Sequence, residues 1–333
     1  MRVLVAGATG AVGVHLVSQL VDRGHDVIAT TRTPDKQERL RALGAEPALL
    51  DGLDAAAVRD TVVRVAPEGI VHEMTSLRGR PDFRHFDRYF ATTNLLRTKG
   101  TANLIAAAQT AGVKRLVVQS YTGWNNIHRG GPVKSEADPL EPQPAPQQRE
   151  THAAIVEMES MVLDAPMDGI VVRYANLYGP QASASAIGLL KKRMFPIIGD
   201  GNGVSSWLHV EDAAIATADA LERARPGVYN IADDDPATTV EWLPYLAEVT
   251  GAPKPFRVPV WLGRLLAGEA AVLWLTEGRG SSNAKAKTEF GWHPTRASWR
   301  QGFRELSSTV APVRARGRRP SRRPSGRGAQ SEG

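Results

Sequence analysis

A glycine-rich segment near the start of the chain, Gly7-Ala8-Thr9-Gly10-Ala11-Val12-Gly13, constrains the fold more than any other part of the sequence. It lies between an apolar run at residues 3–6 and a stretch in which Val12, Leu16 and Leu20 recur at helical spacing. A strand that enters a helix through glycines is typical of a nucleotide site, because the backbone can approach a diphosphate at the positive end of the helix. A purely structural turn would explain the glycines but not their position. The predicted dinucleotide-binding residues of this segment are Gly7, Thr9, Gly10, Ala11, Val12 and Gly13.

Short apolar runs and helical patterns alternate through the first half of the chain. The candidate strands cover residues 3–6, 26–30, 46–50, 69–72, 115–119 and 169–173. Repeated alternation of strand and helix implies right-handed crossovers and a parallel sheet with helices on both faces. The sequence therefore predicts an α/β fold built on a Rossmann-like, doubly wound parallel sheet.

The alternation becomes less regular after Arg173, where two further strands bracket a helix and the rest of the chain reads as mainly helical. The expected units are a Rossmann domain at 1–175 to which 207–232 returns, a smaller, mainly helical C-terminal substrate subdomain at 176–206 and 233–310, and a tail at 311–333. The segment 122–148 is too long for a bare connection, which favours a lid or a binding role.

The positive charge of the chain, +6, comes from its last residues. Residues 311–333 hold seven arginines and a single acid, Glu332, so residues 1–310 are formally neutral. This end, rich in Pro, Gly, Ser and Arg, cannot bury a core, and we expect a disordered tail; a tail that binds phosphate or nucleic acid is the alternative. The neutral body gives no reason to expect a nucleic-acid partner.

Composition and hydropathy exclude several classes of protein. The chain has no cysteine, which rules out disulfides, cysteine nucleophiles and thiolate metal sites. Its most apolar late segment, 258–276, is interrupted by Arg264 and Glu269 and does not read as a membrane span. Residues 1–6 read as a strand rather than a signal peptide, so we expect a cytoplasmic protein. No group of His, Asp and Glu has the spacing of metal ligands, and no metal site is predicted.

The end of the second predicted strand distinguishes between cofactors. NAD sites usually place an acid there for the ribose hydroxyls, whereas a nearby arginine accommodates a 2′-phosphate. This chain has Thr30-Thr31-Arg32-Thr33, which favours NADP(H) over NAD(H), although a surface arginine is the simpler alternative. The ends of the next two strands complete the predicted cofactor site with Asp51, Gly52, Met74 and Thr75.

Further motifs accompany the glycine segment. They are Ala111-Gly112-Val113-Lys114-Arg115, Arg173-Tyr174-Ala175-Asn176-Leu177-Tyr178-Gly179-Pro180, Gly199-Asp200-Gly201, His209-Val210-Glu211-Asp212, Val228-Tyr229-Asn230-Ile231 and Phe290-Gly291-Trp292-His293-Pro294. With these motifs the chain, up to about residue 305, resembles the extended short-chain dehydrogenase/reductase superfamily, and within it the NAD-dependent epimerase/dehydratase family.

The resemblance implies a catalytic Ser or Thr after the fifth strand and a Tyr-x-x-x-Lys on the next helix, where tyrosine exchanges a proton with the reacting oxygen and lysine lowers the pKa of that tyrosine. The serine is present as Ser120, and Trp124 follows where the family has an aromatic residue. The Tyr-x-x-x-Lys pair is missing, because no tyrosine in this chain has a lysine four residues later. Aligning Glu157 with the family glutamate places Arg149 and Ala153 at the two positions.

Groups that can replace the missing pair are Tyr121, Arg97, Arg149, Thr151 and His152. Histidine and tyrosine can exchange protons, and arginines can hold a carboxylate or phosphate. The alternatives are that His152 is an exposed helix residue and that Tyr121 packs under the long loop. The predicted catalytic residues are Ser120, Tyr121, Arg149 and His152, and the predicted substrate-binding residues are Arg97, which stands where the family has asparagine, Trp124, Asn176 and Tyr178.

These expectations favour an NAD(P)-binding enzyme of the epimerase, dehydratase or reductase kind that acts on a small organic molecule through a non-standard site. Two alternatives stay open: a redox-neutral isomerase, lyase or cyclase on the same scaffold, and a non-catalytic dinucleotide sensor. The resemblance also implies a homodimer through the helices around 95–108 and 151–163.

Overall fold

The computed structural model describes residues 1–77, 79 and 81–309. Its strands, in chain order, are β1 (Arg2–Ala6), β2 (Asp26–Thr31), β3 (Glu46–Leu49), β4 (Gly69–His72), β5 (Arg115–Tyr121), β6 (Val133–Lys134), β7 (Asp168–Tyr174), β8 (Asn176–Tyr178), β9 (Ile197–Ile198), β10 (Val204–Ser205), β11 (Trp207–His209), β12 (Gly227–Ile231), β13 (Ala237–Thr238), β14 (Arg257–Val258) and β15 (Gly280–Ser281).

Helices connect these strands and form about half of the second half of the described chain. They are α1 (Gly13–Asp22), α2 (Gln37–Ala42), α3 (Ala55–Val65), α4 (Phe86–Leu95), α5 (Thr101–Ala111), α6 (Arg149–Leu163), α7 (Ala184–Lys191), α8 (Val210–Arg223), α9 (Thr239–Val249), α10 (Val260–Ala267), α11 (Glu269–Glu277), α12 (Ala284–Phe290) and α13 (Trp299–Thr309). A π turn, Leu96–Gly100, joins α4 to α5, so the helix that the sequence places at 95–108 begins earlier and is interrupted.

Seven parallel strands form the central sheet in the order β12-β7-β5-β4-β1-β2-β3. This order confirms the predicted doubly wound sheet, because the chain reverses direction across the sheet between β1 and β4, and ligands bind in the crevice at such a reversal. The side chains of β1 alternate between two apolar cores, one on each face of the sheet. Val3 and Val5 pack with α1 and α8, whereas Leu4 and Ala6 pack with α3, α5 and α6. Burial on both faces explains the continuously apolar sequence of this strand.

The second half of the chain contributes both to the sheet and to a separate core. β12 joins the sheet beside β7, whereas β11 pairs with β8 outside it. A third apolar cluster contains Trp207, Trp242, Trp299 and Phe303. The domain limits given above stay a proposal, and the tail 311–333 lies outside the described residues.

The long segment 122–148 is folded against the second half of the chain. β6 pairs with β15, and Asn126 donates to Ser281 Oγ at 3.1 Å. The segment ends in a 3₁₀ turn, Pro146–Gln148, which leads directly into α6. In the described part of the chain, no helix is both long and apolar enough to cross a membrane.

Close packing between α6 and β7 gives a testable consequence. A Cβ on Gly169, in β7, would lie 1.9 Å from the Val162 carbonyl oxygen of α6. Because backbone cannot move aside cheaply, Gly169→Ala should lower the free energy of unfolding by about 3 kcal/mol in a urea titration.

Gly188→Ala is the matched control, since a Cβ on this α7 residue meets nothing within 4 Å. Alanine is the better helix former, so this variant should be neutral or more stable by about 0.5 to 1 kcal/mol. Equal effects of the two substitutions would contradict the packing described here.

Candidate active site

The glycine turn brings backbone atoms together at the carboxyl ends of β1 and β4. Gly7 has φ +96°, in the left-handed region, and a Cβ there would lie 2.5 Å from the carbonyl carbon of Glu73. A Cβ on Gly13 would lie 2.5 Å from the Gly7 carbonyl oxygen, so α1 begins directly against the turn. Gly10 is exposed at the tip, and its amide donates to the Gly7 oxygen at 3.1 Å. The N-terminus of α1 is therefore open to an anion at the crevice.

The other predicted cofactor residues lie along the same edge. Arg32 is exposed one residue past β2, and Asp51 is exposed after β3 with its carboxylate accepting the Leu53 amide at 3.1 Å. Met74 packs on Gly52, where a Cβ would lie 2.5 Å from the Met74 sulfur, and Thr75 is exposed. The amides of Ala11 and Val12 and the side chain of Thr9 have no hydrogen-bond partner among the described residues. The glycine cradle and these neighbours fit a dinucleotide.

His72 supports this edge as a neutral imidazole. Burial lowers its pKa to about 4. Its Nδ1 accepts the Met74 amide at 3.1 Å, so the proton is on Nε2, which donates to the Leu96 carbonyl at 3.3 Å. The ring links β4 to the π turn.

Glu73 is a buried acid directly beneath the glycine turn, and no role was predicted for it from the sequence. The Tyr174 hydroxyl donates to its Oε1 at 2.7 Å and also contacts Thr217, which donates to the Ala213 carbonyl at 2.8 Å. Burial raises the pKa of Glu73 to about 8, so the carboxyl group is mostly protonated at neutral pH. An acid at the end of an otherwise apolar strand was the sequence signal for this group.

Replacing Glu73 should change how stability depends on pH. Folding raises the pKa of Glu73 from 4.5 to about 8. The protonated side chain therefore contributes fully to the free energy of unfolding below pH 4.5, and this contribution is lost as the pH rises towards 8. Glu73→Gln should therefore gain stability relative to the native chain between pH 5 and 8, by at most about 1.4 kcal/mol per pH unit. Urea unfolding at several pH values measures this difference.

Glu248→Gln, at an exposed position of α9, is the control and should show no such trend. Burial also raises the pKa of Asp233 to about 8. Asp233 is present in both variants and in the native chain, so its effect on the pH dependence of stability cancels in the comparison. A pH-independent difference for Glu73→Gln would contradict a protonated Glu73.

A buried ion pair lies on the other side of the crevice. Arg173 in β7 donates to both carboxylate oxygens of Glu159 in α6, at 2.8 and 2.5 Å. Ser120 donates to the same carboxylate at 2.6 Å, and all three side chains are buried. The proton of Ser120 is therefore committed to Glu159, which leaves the serine oxygen as an acceptor.

This ion pair favours a second alignment of α6. Glu157 is exposed, whereas Glu159 is buried and binds Arg173, so Glu159 can stand for the family glutamate instead. That alignment places Thr151 and Ile155, both buried, at the positions of the missing tyrosine and lysine. Arg149 is exposed at the start of α6 and does not join the cluster.

Aromatic side chains form one wall of the site. The indole of Trp124 contacts the rings of Tyr121, Phe86 and His152 at centroid distances of 6.1, 5.1 and 6.4 Å. Phe90 packs on Phe86 at 4.6 Å. We call Phe86, Phe90, Tyr121, Trp124 and His152 the aromatic wall.

Tyr121 and His152 differ in how their polar atoms are used. The Tyr121 hydroxyl donates to Asn176 Oδ1 at 2.7 Å, and burial raises the pKa of the phenol. Asn176 is held in turn through its donation to the Ser206 carbonyl at 3.0 Å. His152 Nε2 is buried without a hydrogen-bond partner among the described residues, and burial lowers the pKa of its imidazole. Both side chains contact Trp124, and a catalytic role for either stays a prediction.

Two predicted substrate residues have different surroundings. Arg97, in the π turn, donates to Asn94 Oδ1 at 3.2 Å beside the aromatic wall. Tyr178 is fully buried against Trp207 and Phe303, and a Cβ on Gly302 would lie 2.1 Å from its hydroxyl. Tyr178 therefore belongs to the C-terminal core and cannot contact a ligand as predicted, because packing of β8 against α13 covers it.

A cleft of about 810 Å³ lies between the segment before α6 and the α10–α11 junction, and none of the five aromatic-wall residues lines it. Its lining comes from the segment before α6, from Arg84 and from the α10–α11 junction, and includes His128, Arg129, Glu141, Pro146, Arg264 and Leu265. Arg264 is paired with Glu269, whereas Glu141 accepts the amides of His128 and Gln143. The segment that the sequence favours as a lid therefore forms a wall of this cleft.

Comparison with known proteins identifies the family of this chain. Residues 3–232 match the model of the NAD dependent epimerase/dehydratase family, and the chain belongs to that family. The predicted family is thereby confirmed.

Among curated relatives, a 3-diazoavenalumate denitrifying reductase from a Streptomyces species is 40% identical over 310 residues, which cover 91% of this chain and 99% of the relative. A 4-hydroxy-2-methyl-3-oxo-4-farnesyl-3,4-dihydroquinoline-1-oxide ketoreductase from Stigmatella aurantiaca is 27% identical, with 82% and 81% covered. Among solved structures, UDP-glucose 4-epimerase from Thermotoga maritima aligns with a TM-score of 0.71 and 22% identity over 92% of this chain and 98% of that one. The last comparison supports the fold alone.

Proposed function

We propose that this protein is a nicotinamide-dependent reductase that replaces the diazo group of an aromatic acid by hydride and releases dinitrogen. The observation that carries the proposal concerns the hydroxyl groups that a carbonyl reductase would use as proton donors, because they already donate hydrogen bonds within the protein. Ser120 donates to Glu159 and Tyr121 donates to Asn176. The alignment on Glu159 supports the proposal, because it puts Thr151 and Ile155 in place of the family's proton donor and lysine.

Loss of a proton donor matters for some reductions and not for others. A ketone that accepts hydride becomes an alkoxide and needs a proton, which the family supplies from tyrosine. A diazonium carbon that accepts hydride forms a C–H bond, while the C–N bond breaks and its electron pair leaves with neutral N₂. The substrate is reduced, the nicotinamide is oxidised, and no proton is consumed. The name of the Streptomyces relative describes such a reaction for that protein.

The remaining residues have roles that suit this chemistry. The dinucleotide, when bound, supplies the hydride. The aromatic wall offers a flat surface for a substrate ring, and His152, in edge contact with Trp124, keeps a buried Nε2 without a partner among the described residues. Arg84 and Arg129 give the cleft two cations for a carboxylate besides Arg264, which is paired with Glu269, against the single further acid Glu141, which accepts backbone amides.

The reaction itself is the first test. With NADPH and diazotised 3-amino-4-hydroxybenzoate, we expect the protein to oxidise NADPH and release N₂ in equal amounts, followed by absorbance and by mass spectrometry. Deuterium carried on C4 of NADPH should appear on the carbon that held the diazo group. A protein-free reaction is the control, because diazonium compounds are themselves electrophilic.

Other outcomes would favour other functions. Faster reduction of a 3-oxo acid than of the diazo acid, lost in His152→Gln, would make this a ketone reductase with His152 as the acid. Product formation without a change in NADPH would indicate a redox-neutral enzyme, and tight binding of NADPH without turnover of any substrate would indicate a sensor.

NADP(H), rather than NAD(H), is the cofactor we propose, because Arg32 is exposed past β2 and residues 30–33 at the end of that strand include no acid. Arg32→Ala should weaken binding of NADPH by about 10- to 100-fold, the loss of a charge-assisted bond to the 2′-phosphate, and leave binding of NADH nearly unchanged. Fluorescence titration measures both affinities.

Arg41→Ala, at an exposed position of α2, is the control and should change neither affinity. Equal losses for the two nucleotides in Arg32→Ala would exclude a role in recognising the phosphate. A cytoplasmic location and a homodimer are parts of the same proposal; exposed Leu95, Val156 and Leu163 on α4 and α6 support the dimer.

A further inference from the structure

Arg97 is a cation beside the aromatic wall without a carboxylate partner. Its guanidinium lies 5.7 Å from the ring centre of Phe90 and is bonded to Asn94. Among residues 1–77, 79 and 81–309, no ion pair to Arg97 is found within 4.0 Å. π turns such as the one that holds it are frequent at functional sites.

Hydrogen bonds connect Arg97 to the position of the missing tyrosine. Asn94, which accepts from Arg97, donates through Nδ2 to Thr151 Oγ1 at 3.1 Å. Thr151 donates to Asp87 at 2.7 Å, and Asp87 also accepts two amides at the start of α6. The guanidinium is thus separated by one side chain from the place where the family holds its proton donor.

The charged groups near Arg97 leave its charge uncompensated. Glu159 of α6 acts on it from a distance but is paired with Arg173 of β7. His72 of β4 has a pKa lowered to about 4, and His152 of α6 also has a lowered pKa, so both are neutral at pH 7. Burial lowers the pKa of Arg97 to about 10, which still leaves it protonated at that pH.

We propose that Arg97 is a catalytic residue that binds an oxyanion of the substrate, so that a fixed cation takes the place of the family's proton donor. The inference rests on the proposed function and narrows the substrate to a diazo arene whose ring carries an ionised hydroxyl conjugated with the diazo carbon.

Charge balance explains why a cation suits this substrate. An oxido-arenediazonium is neutral, because its phenolate and diazonium charges cancel. Hydride forms the C–H bond, the C–N electron pair leaves with N₂, and the negative charge brought by hydride remains on the oxygen beside Arg97. Preorganised positive charge at a developing oxyanion lowers a barrier without a proton transfer. The phenolate takes its proton from water after release.

The test uses the native protein saturated with NADP⁺, with 4-hydroxycinnamate as a non-reacting probe whose phenolate absorbs at longer wavelength than its phenol. We expect binding to lower the pKa of the probe's phenol by about 1 to 3, as an adjacent cation does. The methyl ether of the probe should bind about tenfold or more weakly. An unchanged phenol pKa in the native complex would overturn the proposal without any variant.

Variants assign the effect to Arg97. Arg97→Met should return the phenol pKa of the bound probe to its free value and reduce kcat with the diazo acid by about 100- to 1,000-fold, the cost of losing one oxyanion donor. Arg97→Lys should recover part of both. Arg88→Met, at an exposed position of α4, is the matched control and should change neither.

Two further outcomes separate the claims. A loss of NADP⁺ affinity in Arg97→Met with an unchanged phenol pKa would place Arg97 at the cofactor instead and overturn the proposal. If the bound phenol ionises but no diazo acid is reduced, the oxyanion site stands and the proposed function fails.

Discussion

The buried ion pair between Arg173 and Glu159 is the interaction on which the site depends. Arg173 and Ser120 are neighbours across β7 and β5, and Glu159 reaches both from α6. Three elements are therefore fixed by one carboxylate. Breaking such a pair by removing one partner leaves an uncompensated buried charge and costs about 3 to 5 kcal/mol. The orientation of α6, and with it the place of Thr151 and His152, follows from this pair.

The same pair determines what Ser120 can do. A serine that donates to a buried carboxylate cannot donate to a substrate oxygen at the same time, since a hydroxyl has one proton. The position expected to be catalytic is occupied by the expected residue, yet its role is to accept or to position. The identity of a residue at a family position is thus weaker evidence of mechanism than the group to which that residue donates its hydrogen bond.

Much of the fold was readable from the sequence, and the reasons are local. Continuous apolar runs indicate strands buried on both faces, and the glycine segment indicates a tight turn, so the sheet and the glycine turn were predicted correctly. The rotational phase of α6, that is, which of its residues face the site, was not predicted correctly. A shift of two residues rotates a helix position by about 200°, so alignment on Glu157 placed Arg149 and Ala153 on the solvent side. Only packing distinguishes the two acids. The prediction that Tyr178 binds substrate failed for a similar reason, because Tyr178 is covered by α13, which is far along the chain.

Charge neutralisation gives the site its chemical character. Among the buried groups described above, Glu159 is neutralised by Arg173, whereas Glu73 and Asp233 have pKa values raised by burial and hold a proton. His72 is neutral because burial disfavours its charged form. Arg97 alone of this set keeps its charge without a counterion, beside an aromatic wall that offers flat apolar surface. Holding an unpaired cation in such surroundings is unfavourable, and an anion that arrives or develops there relieves the cost. A ligand that becomes more negative as it reacts therefore gains more in the transition state than in the ground state, which is the condition for catalysis rather than for binding alone.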